Sequence, residues 1–252
     1  MMCSSSSDMQ LSGVVIAMNE AHRIERTLSS LSRVCEHLVV LDSGSSDDTV
    51  AVAKSCGAAV YYQDWLGDGP QKNKVISLAP TDWILILDAD ETLDETAISD
   101  ILRRKSDTSL DSNVCYRLAR KNYLGDRWIQ YSGWYPDLVT RLFDRRVHQY
   151  VGKAHATVPS SQYERILGHI EHAAFKNYAQ LFEKANFYSN WMAVITVENG
   201  CKVTVFSPLM HSLAAFLRSY IVRRGFLGGL DGFVIAVSAA LNSFLKYAKA
   251  LE

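Results

Sequence analysis

No CxxC pair occurs anywhere in this chain. Its five cysteines (Cys3, Cys35, Cys56, Cys115, Cys201) are odd in number and widely spaced. That excludes a zinc ribbon and a disulfide framework, and fits reduced thiols in a cytosolic protein. Two nucleotide-binding signatures are also missing: neither GxxxxGK(S/T) nor GxGxxG is present, so the chain is neither a Walker-type nor a dinucleotide-fingerprint protein. Charge of one sign is not in excess. The 26 Lys and Arg against 27 Asp and Glu leave a formal net charge of -1, so the general electrostatic footprint of a nucleic-acid binder is absent. Long apolar runs are scarce. The least polar stretch, residues 225–245, is interrupted by Asp231 and several glycines. Its uncharged part, residues 232–245, falls short of the ~20 residues of a spanning helix, so no transmembrane helix is expected. Residues 1–10 are Ser-rich with no apolar core of a signal peptide, and read as a disordered leader.

What is present is ordinary globular material: 252 residues, 48% hydrophobic and 21% charged. That is enough for one large α/β domain, or for one domain with a helical extension. Four short apolar runs, at residues 11–18, 37–41, 58–62 and 83–87, predict strands. Helical spacing follows at 20–31, 47–56 and 70–78. For the second of these, Ser45-Ser46 reads as the N-cap and Gly57 as the stop. Alternating strand and helix argues for a doubly wound, mainly parallel sheet, whose ligands bind beyond the carboxyl ends of the strands. Strands are further expected at 114–118, 138–143 and 154–158, and helices at 179–198, 208–224 and 233–250.

The strongest chemical signal is Trp83-Ile-Leu-Ile-Leu-Asp-Ala-Asp-Glu91. A buried strand delivers Asp88 and Asp90 into one loop, and carboxylates are hard oxygen ligands suited to Mg²⁺ or Mn²⁺ together with substrate phosphates. Asp42, at the end of another strand, can accept from a base N–H or a ribose hydroxyl. Gly67-Asp-Gly-Pro-Gln-Lys72-Asn73 opens a helix, where a phosphate is favoured, and Lys72 adds a point charge. His169, His172 and His211 show no spacing with a partner acid and read as structural.

Together these pieces resemble the family-2 glycosyltransferases of the GT-A fold. The residues that carry the resemblance are Val15-Ile-Ala-Met-Asn-Glu20, Asp42-Ser-Gly-Ser-Ser-Asp-Asp-Thr49 and Asp88-Ala-Asp90. Bacterial lipopolysaccharide-core β-1,4-glucosyltransferases are the most similar group, through Gln71-Lys72-Asn73, Tyr135-Pro-Asp137, Arg141-Leu-Phe143 and Gly152-Lys-Ala-His155. Those relatives usually carry Glu after that His, where this chain has Ala156. The resemblance implies an α/β GT-A fold, a Rossmann-like mainly parallel sheet with a C-terminal helical extension. Its catalytic domain would span 11–175, with a nucleotide-binding half at 11–110 and an acceptor half at 111–175, followed by a helical region at 176–252. It implies an inverting, metal-dependent hexosyltransferase that moves glucose from UDP-glucose to a lipid-linked acceptor such as inner-core heptose. In it Asn19 and Glu20 line the nucleotide pocket, Asp42 meets the uracil, Asp88 the ribose, Asp90 the metal and Lys72 the diphosphate. Arg141 pairs with phosphate or braces a strand, and His155 completes the metal shell or touches the diphosphate. Asp137 is the candidate general base, with Glu91 second.

Other readings are an inactive sugar-nucleotide-binding scaffold, a peptide-modifying glycosyltransferase and a nucleotidyltransferase. The last would need a Gly- and Arg-containing loop after the first strand, where Asn-Glu-Ala-His-Arg-Ile stands instead. From Lys202 onward six basic residues face two acids, a local net of +4, among Phe216, Leu217, Tyr220, Ile221, Phe226, Leu227 and Phe233. Such a segment suits an anionic membrane surface, here the cytoplasmic face of the inner membrane, or else a helical pair that packs on the catalytic domain or makes a homo-oligomer.

Overall fold

The computed structural model describes residues 9–152 and 156–252. The chain divides into two compact units. One contains the chain up to Arg120 together with Leu138–His172; the other contains Lys121–Asp137 and Ala173–Glu252. Lys121–Asp137 shares a unit with the C-terminal helices.

The first unit is built on β1 (Leu11–Ala17), β2 (His37–Asp42), β3 (Ala59–Tyr62) and β4 (Trp83–Asp88). They lie side by side in the order β3-β2-β1-β4, all parallel. β1 and β4 are nearly all apolar and buried along their length, as parallel strands covered on both faces must be. Leu85, Ile86 and Leu87 are completely buried, each contributing about 1.5–3 kcal/mol relative to exposure. Helices α1 (Ile24–Leu31), α2 (Thr49–Ser55) and α3 (Asp68–Leu78) connect these strands.

Beyond β4 the sheet turns antiparallel, through β5 (Glu91–Leu93), helix α4 (Glu95–Ser106), β6 (Val114–Leu124), β8 (Asp137–Asp144) and β9 (Gln162–Phe175). β8 pairs antiparallel with β4 and β9 antiparallel with β5. The longest strand, β9, together with α4 and β5, was not expected. β9 mixes buried and exposed residues over fourteen positions without the apolar run that marked the parallel strands. The strand expected at 154–158 falls partly on Lys153–His155, which lie outside the described residues; among the described residues there, Thr157 forms one antiparallel bridge with Val151. The α2 cap also differs. Ser46 makes no cap bond; Asp47 accepts from the Thr49 amide at 3.0 Å. Ser46 instead meets Asn19, because that loop is tied sideways to the neighbouring strand end.

In the second unit the two-residue strand β7 (Arg127–Trp128) pairs with the end of β6. Helices α5 (Tyr178–Glu198), α6 (Ser207–Leu217) and α7 (Gly229–Lys249) follow. A π-helical turn, Arg218–Val222, and a 3₁₀ turn, Gly225–Gly228, link the last two. α7 packs on both α5 and α6. Leu124, Ile129, Leu181 and Ile235 form the unit's small core. The helical segment Gly225–Lys249 runs through Asp231 and the glycines that were expected to interrupt it. By length and composition it is therefore long enough to cross a membrane.

Candidate active site

Strand register decides which residues meet. Ala17 of β1 stands opposite Asp42 of β2, and Ile16 opposite Asp88 of β4. The carboxyl ends of three parallel strands are therefore level, and the loops that leave them share one edge, where open α/β sheets hold ligands.

The first two loops are sewn together. Asn19 adopts φ 57°, a left-handed conformation that Asn tolerates. Its side-chain oxygen accepts from the Ser46 amide at 2.8 Å and its own amide donates to Ser45 Oγ at 2.9 Å. The Glu20 amide donates to Thr49 Oγ1 at 2.8 Å and the Ala21 amide to Asp47 at 3.1 Å. Asp42 is buried and accepts from the amides of Gly44 and Ser45, both at 2.9 Å, and from Ser45 Oγ at 2.5 Å. A carboxylate accepts about four such bonds, so Asp42 shapes its own loop and keeps capacity for one further donor.

The third loop carries the acids, with a set of cations beneath it. Arg141 on β8, 3% exposed, donates from Nη2 to Asp88 Oδ2 and to Glu91 Oε1, both at 2.6 Å. Arg120 on β6 reaches the same Glu91 oxygen at 3.0 Å. Lys72 on α3 is buried, pairs with Asp68 at 2.7 Å and lies 3.7 Å from Asp88. Asp90 has Arg23 at 3.5 Å and His172 at 3.4 Å. Burial pushes the Asp88 carboxyl up, but Arg141 and Lys72 outweigh it and hold Asp88 below the usual carboxylate range. Burial likewise raises Asp90, and the His172 hydrogen bond and charge, with Arg23, turn the balance downward. Burial lowers Lys72 and Asp88 more than restores it, so the ammonium stays charged.

These contacts revise several expectations. Glu91 is completely buried, accepts from two arginines and receives the Asp88 amide at 3.1 Å. These bonds tie the loop between β4 and β5 to the two arginines. Arg141 lies under the motif as a brace. Gln71 and Asn73 pin the Lys72 helix: Gln71 donates to Ser43 Oγ and the Gln63 carbonyl, and Asn73 exchanges two 2.9 Å bonds with the Tyr150 backbone. His169 and His172 do meet acids, Asp94 at 3.1 Å and Asp90 at 3.4 Å. The antiparallel β5–β9 register creates both pairs, and nothing in linear spacing announces it. Ala156, where the similar group has Glu, donates its amide to Asp68 at 2.9 Å. A Cβ on Gly69 would overlap the Gly152 carbonyl, so only glycine fits where α3 begins. His155 lies outside the described residues.

Asp137 belongs to the second unit. It is half-buried and accepts from the Asn122 amide nitrogen at 3.3 Å; that nitrogen also donates to the Trp134 carbonyl. Trp128 and Tyr135 pack edge to face at 5.2 Å.

Residues 12–173 match the sequence model of glycosyl transferase family 2. The chain belongs to this family. An uncharacterized glycosyltransferase of Rickettsia prowazekii is 30% identical over 254 residues, covering 95% of this chain and 86% of that one. The lipopolysaccharide core biosynthesis glycosyltransferase LpsC of Rhizobium meliloti is 30% identical over 254 residues, covering 95% and 91%. Among solved structures, glucosyl-3-phosphoglycerate synthase of Mycobacterium tuberculosis, in complex with Mn²⁺, UDP and glucosyl-3-phosphoglycerate, is 23% identical over 46% of this chain and 44% of that one, with a TM-score of 0.35. As a family-2 glycosyltransferase the protein has the α/β GT-A fold, with the C-terminal helices as its extension.

Proposed function

We propose that this glycosyltransferase moves a hexose, glucose from UDP-glucose, onto a sugar of a lipid-linked acceptor of the lipopolysaccharide inner core, with inversion. One observation carries the donor half: Asn19-Glu20, Asp42 and Asp88-Ala-Asp90 leave three level strand ends at one edge, with Lys72 beside Asp88. The name of the Rhizobium meliloti relative supports the acceptor class.

In this reading Asn19 and Glu20 line the nucleotide pocket, Asp42 receives the uracil and Asp88 the ribose hydroxyls. Lys72, a charged ammonium, faces the diphosphate. Arg141 keeps Asp88 ionised and oriented. The acid loop suits a divalent ion shared with substrate phosphates. Asp90 is an ionised oxygen donor with the His172 imidazole beside it, whereas no group of three His, Cys, Asp or Glu gathers into a closed cage among the described residues. A Mg²⁺ or Mn²⁺ held by Asp90 would supply the positive charge that a departing diphosphate needs. Asp137 takes the proton of the acceptor hydroxyl, a role worth about 10²–10⁴-fold in rate.

A panel of UDP- and GDP-sugars, assayed for hydrolysis and for transfer to deacylated inner-core oligosaccharide with and without Mn²⁺, tests the reading. UDP-glucose is the donor expected to turn over, only with the metal. Consumption of GDP-sugars alone, or turnover indifferent to chelator, would overturn the donor or the metal assignment.

A further inference from the structure

The C-terminal helices are built inside out at one place. Helix α6 turns Pro208 inward and packs on α7. Several rings also pair with one another within the unit: His211 lies 4.0 Å from Tyr247, and Phe216, Tyr220 and Phe233 pack within 5.4–6.0 Å of one another. Three of the aromatics that the sequence offered to a membrane are therefore engaged within the unit. The opposite side of α6 carries Phe206, Leu209, Met210, Leu213 and Leu217, all exposed, Phe206 by 71% and Leu209 by 64%. At 100° per residue these five positions fall within a stripe about 100° wide. A helix stripe of that width is normally the one buried.

Charge accompanies this stripe. Residues 199–230 contain no Asp or Glu, and they contain Lys202, Arg218, Arg223 and Arg224. Arg218 directly follows α6, and Arg218 and Arg224 are both exposed. Arg223 is turned back along Gly133 of the same unit.

We propose that the outer face of α6 docks this protein on an anionic lipid bilayer. The helix lies in the plane of the headgroups, with its apolar stripe in the acyl boundary and Arg218 and Arg224 on lipid phosphates. Charge complementarity selects this occupant. A second copy meeting the face would bring two acid-free, basic segments together with no carboxylate between them, whereas anionic headgroups supply the missing charge. Insertion of α7 as a span is opposed by Asp231. Its carboxylate holds Arg127 at 2.7 and 2.9 Å and the Tyr178 hydroxyl at 2.6 Å, so α7 is fastened to its own unit.

The test is flotation of the full chain with vesicles of phosphatidylcholine alone and of phosphatidylcholine mixed with phosphatidylglycerol. Binding is expected on the mixed vesicles, weaker by about tenfold on the neutral ones, and reduced by salt. The double variant Met210→Glu/Leu213→Glu is expected to lose binding by at least about tenfold. Its melting temperature should match the parent's, because both side chains are exposed. Independently of that variant's fold, a Leu213→Trp variant gains a tryptophan signal quenched by bromine-labelled acyl chains. The proposal is overturned by absent flotation, equal flotation on neutral vesicles, binding that the double variant retains, or protein that resists alkaline carbonate extraction. A concentration-dependent dimer lost in the double variant, without vesicle binding, would assign the face to a second copy instead.

Discussion

Arg141 Nη2 lies 2.6 Å from Asp88 Oδ2, so the first acid of the Asp-Ala-Asp motif is charge-balanced by the protein itself. The same nitrogen reaches Glu91. One buried guanidinium thus joins the acid that ends β4 to the acid that starts β5, and sets the shape of the loop between them.

Removing Arg141 should therefore unsettle the fold as well as the chemistry. Arg141→Ala leaves Glu91 fully buried with one cation fewer, and is expected to cost about 3–5 kcal/mol in denaturant unfolding. Glu91→Gln added to it should recover part of that loss. A single variant as stable as the parent would show that the pair is not a brace.

Asp90 should behave in the opposite way. It is partly exposed at the loop tip, with Arg23 and His172 at 3.4–3.5 Å. Asp90→Ala is expected to lower kcat/KM by about 10²–10³-fold, several kcal/mol of lost metal assistance, while thermal melting stays within a few degrees of the parent. Mn²⁺ titrations would show the difference directly. Identical Mn²⁺ dependence in parent and variant would remove Asp90 from the metal site.

For Asp137 the informative split is kcat against KM. Asp137→Asn keeps the Asn122 contact in reach of an amide oxygen and removes the carboxylate proposed as the base. Transfer should fall by about 10²–10⁴-fold in kcat with the donor KM little changed. Retained kcat would move the base to another carboxylate.

Asp100 on α4 sets an acid limit on stability, away from the site. Burial alone would push its carboxyl up. Hydrogen bonds from Arg103, the Leu167 amide and Arg104 outweigh burial and hold it below its ordinary value. A depressed folded-state pKa means the contribution is complete above the unfolded value of about 3.9 and is lost as pH falls through the folded one. Asp100→Asn should cost about 1–3 kcal/mol at neutral pH, and the gap to the parent should close below about pH 4 in urea titrations. A pH-independent gap would mean that packing, not charge, accounts for the loss.

Much of the candidate site was legible in linear order. An apolar run that stops at Asp42 or Asp88 announces a buried strand and the acid at its end, since water-excluded parallel strands leave no room for polar residues except at their tips. The helix that starts after Gly67 and carries Lys72 was legible for similar local reasons. The α2 cap was misread because Ser46 is drawn to Asn19, a partner 27 residues away.

What the sequence determined alone is therefore the parallel half of the fold, its family and the identity of the acids at the strand ends. Periodicity and local caps carry that information, and both act over a few residues. Tertiary structure decided the rest: Glu91 as a buried anchor, Arg141 as its brace, His172 beside Asp90, and α6 turning apolar residues outward. Each depends on residues brought together by antiparallel register or helix packing. Asp90 and His172, or Glu91 and Arg141, become neighbours only when β9 and β8 close the sheet, and no local propensity encodes such a long-range pairing.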